Sequence, residues 1–396
     1  MKRLTLCLGA VLAVLCACLA PVSGYARSPD AALERGLSGV ISAIEGDRPD
    51  VALQRVDALI ASHPTFRLAH LIRGDLLLAR TRPLQKFGDV AATGSRHEVE
   101  GLREEALARL HALRARPAPG QVPSYVLQLS PEQNYAIIVD SRLSRLYLFK
   151  NVGGLPQYVD DYYVTLGKRG MEKTREGDQK TPIGVYHVVA NLPRSKLTDF
   201  YGPEAFPINY PNAWDRQMGR NGHGIWLHGT PSNTYSRPPR ASDGCIVLAN
   251  PDLEAVGRHV QIGLTPVIIA DDMKWSSAAA LDSERHSLAR AIESWRADWE
   301  SRDISRYLSH YSPRFRFNGH GFPDWAAHKR RVNSGKTWIK VGISDLAMFR
   351  YPRDRNFVVV SFSQDYRSNN LSNEMHKVQY WSKEDGSWKI LYEGAG

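Results

Sequence analysis

The sequence predicts a multidomain chain: a helical N-terminal region, a mostly β central domain and an α+β unit at the C-terminal end. Three observations carry that expectation. Between residues 30 and 117 apolar residues recur at helical spacing; from Tyr125 they change to short β-rich runs split by turn-prone segments; from residue 282 a long helical face precedes three further strand runs. A length of 396 residues has room for two or three buried cores.

The first residues bear on the compartment. Lys2 and Arg3 precede an apolar run from Leu4 to Ala20 and then small residues around Val22, Ser23 and Gly24, the layout of a secretory signal peptide over residues 1–26, cleaved after Gly24 or Ala26. The alternatives are an uncleaved anchor, because the run nearly reaches spanning length, and a lipidated cysteine in Leu15-Cys16-Ala17-Cys18. The expected location is the periplasm or cell envelope. Cys7, Cys16 and Cys18 fall inside the signal, so the mature chain holds Cys245 alone. That excludes an internal disulfide framework and a cysteine-based zinc site. The net charge of +10 suits an anionic surface such as a cell-envelope polymer. There is no zinc-finger spacing, basic heptad region or aromatic RNA-binding signature, so nucleic acid is not an expected partner.

Residues 27–117 form the helical region. Leu33, Leu37, Val40, Ile41 and Ile44 share one face, as do Ala52, Val56, Leu59 and Ile60, then Leu68, Leu71 and Ile72. Asp47-Arg48-Pro49 and His63-Pro64-Thr65 punctuate them, and Val99, Leu102, Ala106, Leu110 and Leu113 continue the pattern. This reads as one or two tetratricopeptide-like hairpins without a sustained repeat. Its role is either a prop for the next domain or a surface for a homodimer or protein partner. Pro119, Gly120 and Pro123 mark a linker over 118–124.

The central domain is expected over 125–272, with strands at 135–139, 145–149, 158–165 and 265–269 and a charged, solvated loop at 168–176. Asn250 before Pro251, with Asp252 and Glu254 following, predicts a helix that Asn250 caps and that runs to about residue 260. A linker at 273–281 leads to the last unit, 282–396. There Leu288, Ile292, Trp295 and Trp299 line a helix, Tyr307-Leu308 suggests a second, and strands follow at 357–362, 376–381 and 388–392, with Asp385-Gly386 as the turn between the last two.

The chemistry concentrates in residues 223–250. Cys245 lies 17 residues after His228, in the run Ser242-Asp243-Gly244-Cys245. A free thiol has a pKa of about 8.5 and needs a base to become a nucleophile at neutral pH. The spacing is too long for one helix face, and the proline-rich segments between suit a loop joining two strand ends. If 224–228 is a strand, Gly224, Trp226 and His228 share a face, making Trp226 a wall of the site, while His223 has the opposite parity. Gly244 permits close backbone approach, and the amides beside the nucleophile are natural oxyanion donors. A metal among His187, His223 and His228 lacks the carboxylate of a zincin-like motif, so no metal and no cofactor are expected.

The segment from His228-Gly229 to Ser242-Asp243-Gly244-Cys245 resembles the signature of the YkuD, or L,D-transpeptidase, cysteine enzymes of peptidoglycan. Gly177-Asp178 with Thr181-Pro182-Ile183-Gly184, then Tyr201-Gly202-Pro203 and Tyr210-Pro211-Asn212, are similar to further family segments in the same order. Asp243 stands where many members have His, and Val247 where an Arg commonly follows. The resemblance implies Cys245 as nucleophile, His228 as base, a carbonyl near Ser242 orienting that histidine, and amides near Gly244 and Cys245 for the oxyanion. It also implies a substrate surface that includes Gly229 and Tyr210 beside Trp226 and Asp243. Arg237 and Arg240, in the loop before the nucleophile, are either partners for a stem carboxylate or solvated charges.

Helices followed by a curved sheet ending in Trp388-Lys389-Ile390-Leu391-Tyr392 resemble the cone-shaped nuclear-transport-factor-two-like, or SnoaL-like, domains, with a binding or scaffold role expected here. The domain order resembles the exported cell-shape L,D-carboxypeptidases. The resemblance implies attack on the diaminopimelate carbonyl of a peptidoglycan stem peptide through a thioester. Trimming of tetrapeptide to tripeptide is the leading expectation, and cross-linking or attachment and release of a wall-bound lipoprotein the alternative. A non-catalytic wall-binding module is the competing class.

Overall fold

The computed structural model describes residues 29–89, 96–115, 117–317 and 319–396. The expected signal segment, residues 1–26, lies outside them. Among the described residues no helix is long and apolar enough to cross a membrane.

Four helices, Pro29–Glu45, Pro49–Ser62, Arg67–Ala79 and Arg96–Arg114, make the N-terminal region. The helical spacing in the sequence becomes one core in which Leu33, Leu37, Val40, Val56, Leu59 and Leu68 are buried. That core also takes in Tyr235 and Ala249 from the central domain, so the region is packed against its neighbour. Ion pairs seal the same boundary. Arg109 bonds Glu34 at 2.6 Å and Glu105 at 3.0 Å, and Arg145, in a central strand, bonds Glu34 at 3.0 Å and also Asp161. All but Asp161 are almost fully buried.

The central domain is built on a five-stranded sheet in the order Leu155–Tyr163, Arg145–Val152, Tyr135–Asp140, Pro266–Ala270, Gly184–His187. Strand Pro266–Ala270 runs parallel to Tyr135–Asp140, and the remaining pairs are antiparallel. One face of this sheet meets a second, four-stranded sheet containing Trp226–His228 and Ile246–Val247, through a core that includes Ile137, Leu148, Val188, Phe206, Leu227 and Ile246. The alternation of Ile225 and Leu227 inward against Trp226 and His228 outward is thereby fixed by burial. The predicted helix is present as Asn250–Gly257, shorter than expected, and Asn250 is its first residue rather than its cap.

The C-terminal unit consists of helices Ala278–Ser301, Ile304–Ser309 and Phe322–Ser334 with a five-stranded antiparallel sheet. Leu288, Ile292, Trp295 and Trp299 all face the core, as their spacing predicts. Strand Ile339–Arg350 was not expected. Neither was the fifth member of this sheet: residues Val126–Gln128, assigned from sequence to the start of the central domain, pair with Met348 and Phe349. The two expected linkers are also not free connectors, since Gln121–Pro123 pairs antiparallel with Trp275–Ser277. The reverse face of the central sheet packs on this unit through Ala136, Ile138, Phe149 and Ile268 against Phe349, Phe357, Val359 and Tyr380.

Candidate active site

Strands Trp226–His228 and Ile246–Val247 are adjacent and parallel, with Leu227 opposite Ile246 and His228 opposite Val247. The register puts Cys245 opposite Trp226. Side chains at Trp226, His228 and Cys245 therefore leave the same face of the sheet, on strands about 4.8 Å apart. This is how residues 17 apart in sequence come to one face, where the Cys245 thiol donates to the Gly224 carbonyl at 3.3 Å.

The imidazole is buried, and its Nδ1 lies 2.7 Å from the Gly229 carbonyl. With Nδ1–H donating to that oxygen, Nε2 is left as the basic nitrogen. The orienting carbonyl is thus Gly229's, and the expectation that Ser242 supplies it is corrected. The buried Ser242 hydroxyl instead donates to the Cys245 carbonyl at 2.6 Å and accepts the Gly244 amide at 3.1 Å, closing a tight turn under the nucleophile. Because the Gly244 N–H is engaged there, the Cys245 amide is the remaining oxyanion donor of the expected pair. Gly244 itself has φ of +123°, and a Cβ there would stand 2.7 Å from the Lys180 carbonyl oxygen, so only glycine fits.

Burial lowers the His228 pKa to about 4, against the opposing bond to Gly229 and with help from the Arg237 charge. Burial likewise pushes the Cys245 thiol up to about 11, although a backbone hydrogen bond from Trp226 and the charges of Lys173 and Arg237 favour the thiolate. Both shifts favour a neutral thiol beside a neutral imidazole. Such a pair transfers its proton during attack rather than before it.

Tyr201 stands 5.1 Å from both Trp226 and His228, ring to ring, and Phe200 lies 6.1 Å from His228. These four rings line the site, so Trp226 is placed as a wall residue. Sequence reading singled out Tyr201 only as part of a segment and missed Phe200. It also missed the role of Thr181, whose buried hydroxyl donates to the Gly244 carbonyl at 3.0 Å and accepts the Gly167 amide at 2.9 Å. Gly229 is required by contact: the Asn250 Oδ1, which accepts the Thr230 amide at 2.8 Å, would lie 2.1 Å from a Cβ there.

Other expected site residues divide. Asp243 is exposed at the rim and paired with Lys168 at 2.7 Å. Arg237 is half-buried over the Phe200 ring, whereas Arg240 is exposed. Tyr210 is not on the substrate surface: it is 5% exposed, and its hydroxyl lies 3.2 Å from the Lys173 carbonyl and 3.1 Å from that of Asn221. Its ring packs on Tyr186 in the core, which explains the aromatic at that position. His223 is exposed near Glu176, in keeping with a surface role.

The C-terminal unit holds a buried ionic cluster that the sequence did not disclose. Glu393 is flanked by Lys377 at 3.5 Å and Lys329 at 3.8 Å and accepts from Tyr311 and Gln379. Burial lowers Lys329 to about 8. Burial opposes ionisation of Glu393, but the two lysines outweigh it and hold the carboxyl below its ordinary range.

Residues 134–269 match the model of the L,D-transpeptidase catalytic domain, YkuD, and residues 287–394 match that of the Cds6 C-terminal NTF2-like domain. Bd1075 of Bdellovibrio bacteriovorus is 30% identical, with a TM-score of 0.60 over 70% of this chain and 98% of that one. The chain belongs to the YkuD L,D-transpeptidase family. The crystal structure of Pgp2, a helical cell shape determining protein of Campylobacter jejuni, shares 28% identity with this YkuD protein, with a TM-score of 0.60 over 69% of this chain and 95% of that one. The candidate L,D-transpeptidase YafK of Escherichia coli K12 is 30% identical over 118 residues, a match confined to 29% of this YkuD protein and 42% of YafK. The chain thus spans less than half the length of that curated relative.

Proposed function

We propose that this YkuD-family protein is an exported peptidoglycan L,D-carboxypeptidase that removes the terminal D-alanine from a stem tetrapeptide at diaminopimelate. The observation that carries the reading is the placement of Cys245 and His228 on one face of adjacent parallel strands, with the imidazole Nδ1 held by Gly229. The domain order, similar to a cell shape determining protein, supports the wall as its place of action.

The Cys245 sulfur attacks the diaminopimelate carbonyl as His228 Nε2 takes the thiol proton. The Cys245 amide faces the developing oxyanion. Collapse breaks the C–N bond, and His228 returns the proton to the leaving amine of D-alanine, leaving a thioester. Water then attacks while His228 accepts its proton; the C–S bond breaks, the tripeptide leaves with a new carboxyl group, and the proton restores the thiol. An amine in place of water would give a cross-link. The Asp243 position, occupied by an acid that pairs with Lys168, supports water as the acceptor.

Mass spectrometry of purified wall fragments incubated with the mature chain, beside Cys245→Ala, tests the proposal. Cys245-dependent loss of one alanine without dimers is the expected result. Dimers or amine exchange would make it a transpeptidase, and release of a lipoprotein fragment would point to that activity. No change with any substrate would leave a wall-binding module.

A further inference from the structure

Lys173 and Arg237 contribute charge at Cys245, and Lys168 lies nearby, on Asp243. The two lysines have acidic partners. Lys168 bonds Asp243 at 2.7 Å, and buried Lys173 bonds Asp178 at 2.9 Å. Arg237 differs. Among the described residues no carboxylate lies within ion-pair distance of its guanidinium, which rests 4.6 Å above the Phe200 ring and reaches the Phe200 carbonyl at 3.4 Å. Its charge is felt by both Cys245 and His228. A half-buried guanidinium that is stacked on an aromatic ring beside Cys245, and that feels the charge of Asp243 without being ion-paired to it, is a ready site for a carboxylate.

The backbone around it is held from several directions. Tyr163 and Thr165 hydroxyls donate to the Arg237 carbonyl at 2.9 and 3.0 Å. The preceding Ser236 donates to Glu105 of the helical region at 2.7 Å, and Tyr235 is inserted into the helical core against Phe66 and His63. The position of this arginine is thus held by the central domain directly and by the N-terminal helices through Ser236 and Tyr235, which gives their packing on the catalytic domain a consequence at the site.

We propose that Arg237 binds the free carboxylate one residue beyond the scissile bond, the α-carboxylate of the departing D-alanine, and so restricts the enzyme to stem peptides that end there. The inference rests on the stem-peptide reading given above and specifies its substrate: a tetrapeptide with an ionised C-terminus, held in the manner of an exopeptidase. Phe200 is a positioning residue, acting through the guanidinium that it carries.

Steady-state kinetics on a tetrapeptide and on the same peptide with a C-terminal carboxamide test this in the full mature chain. The wild type is expected to prefer the free acid by about tenfold or more in kcat/KM, the scale of one charged hydrogen bond. Arg237→Gln should bring the ratio close to one, chiefly by raising KM for the acid. Arg237→Lys should restore part of the preference, and Phe200→Leu should weaken it while the thermal midpoint stays near wild type. A ratio unchanged by Arg237→Gln, or a wild type that turns over both peptides equally, would overturn the clamp while leaving Cys245-dependent trimming in place. Absence of Cys245-dependent turnover on either peptide would instead overturn the carboxypeptidase reading, and the clamp with it.

Discussion

At the scale of single residues, the neutral resting state of Cys245 and His228 governs reactivity. With the thiol raised to about 11, alkylation by iodoacetamide should be slow at pH 7 and increase about tenfold per pH unit towards pH 11. A plateau of reactivity from pH 5 upward would mean a preformed thiolate–imidazolium pair instead. The same burial has a stability consequence. His228 titrates near 4 in the folded chain and near 6.5 when unfolded, so the unfolded state binds the extra proton between these values. Its depressed folded pKa contributes stability that is present above pH 6.5 and is lost as pH falls towards 4, by about 3 kcal/mol in total. Urea midpoints at pH 7 and 4.5 should show a smaller drop for His228→Gln than for wild type. Gly244→Ala forces a Cβ onto the Lys180 carbonyl and should displace the nucleophile, with about a hundredfold loss of kcat/KM for a shift near 1 Å. The candidate pair of Cys245 and His228 was legible in the sequence because a histidine before a glycine and a cysteine after one leave a local signature, and the strand register puts both on one face. Of the rings beside it Trp226 was legible from strand parity and Phe200 was not, since Phe200 reaches His228 from a segment that only tertiary packing brings near.

Elements show the same division between local and distant causes. Strands with unbroken alternation, such as Tyr135–Asp140, and helices with a single apolar face, such as Ala278–Ser301, could be read directly. Strand Ile339–Arg350 could not. Its ladder shifts register between Ser344 and Ala347, where Asp345 adopts a φ of +55°, and this bulge breaks the period of two on which recognition depends. Strand Val126–Gln128 was placed in the wrong unit because its partner lies more than two hundred residues away. Asn250 looked like a cap, yet its side chain crosses to the Thr230 amide, a non-local choice that sequence cannot weigh. The Thr181 strand entry makes a testable contribution. Thr181→Val leaves the buried Gly167 amide without its acceptor and should cost about 1–3 kcal/mol in chemical denaturation, with a parallel fall in activity as the Gly244 turn loosens.

For the molecule as a whole, the three units share their cores. Trp214 of the central domain stacks on Tyr380 at 5.1 Å and meets Phe357 at 4.7 Å, both from the C-terminal sheet. The full chain should therefore unfold in one calorimetric transition, and truncation after residue 277 should yield an insoluble or molten product rather than a working catalytic domain. At the opposite boundary, Arg109→Met would leave buried Glu105 without its cation and Glu34 with Arg145 alone. A loss of about 3–5 kcal/mol is expected, measured by denaturant titration at pH 7. Because Glu105 also holds Ser236, activity should fall with it even under conditions where the variant remains folded.

The short ladder between Gln121–Pro123 and Trp275–Ser277 brings the entrance and the exit of the catalytic domain side by side. Topologically, that domain is a cassette inserted through a single doorway. A homologous cassette joined at the same two strands would enter and leave in register, but exchange of specificity by transplantation must also carry the side chains that complete its neighbours' cores, among them Tyr235, Ala249 and Trp214.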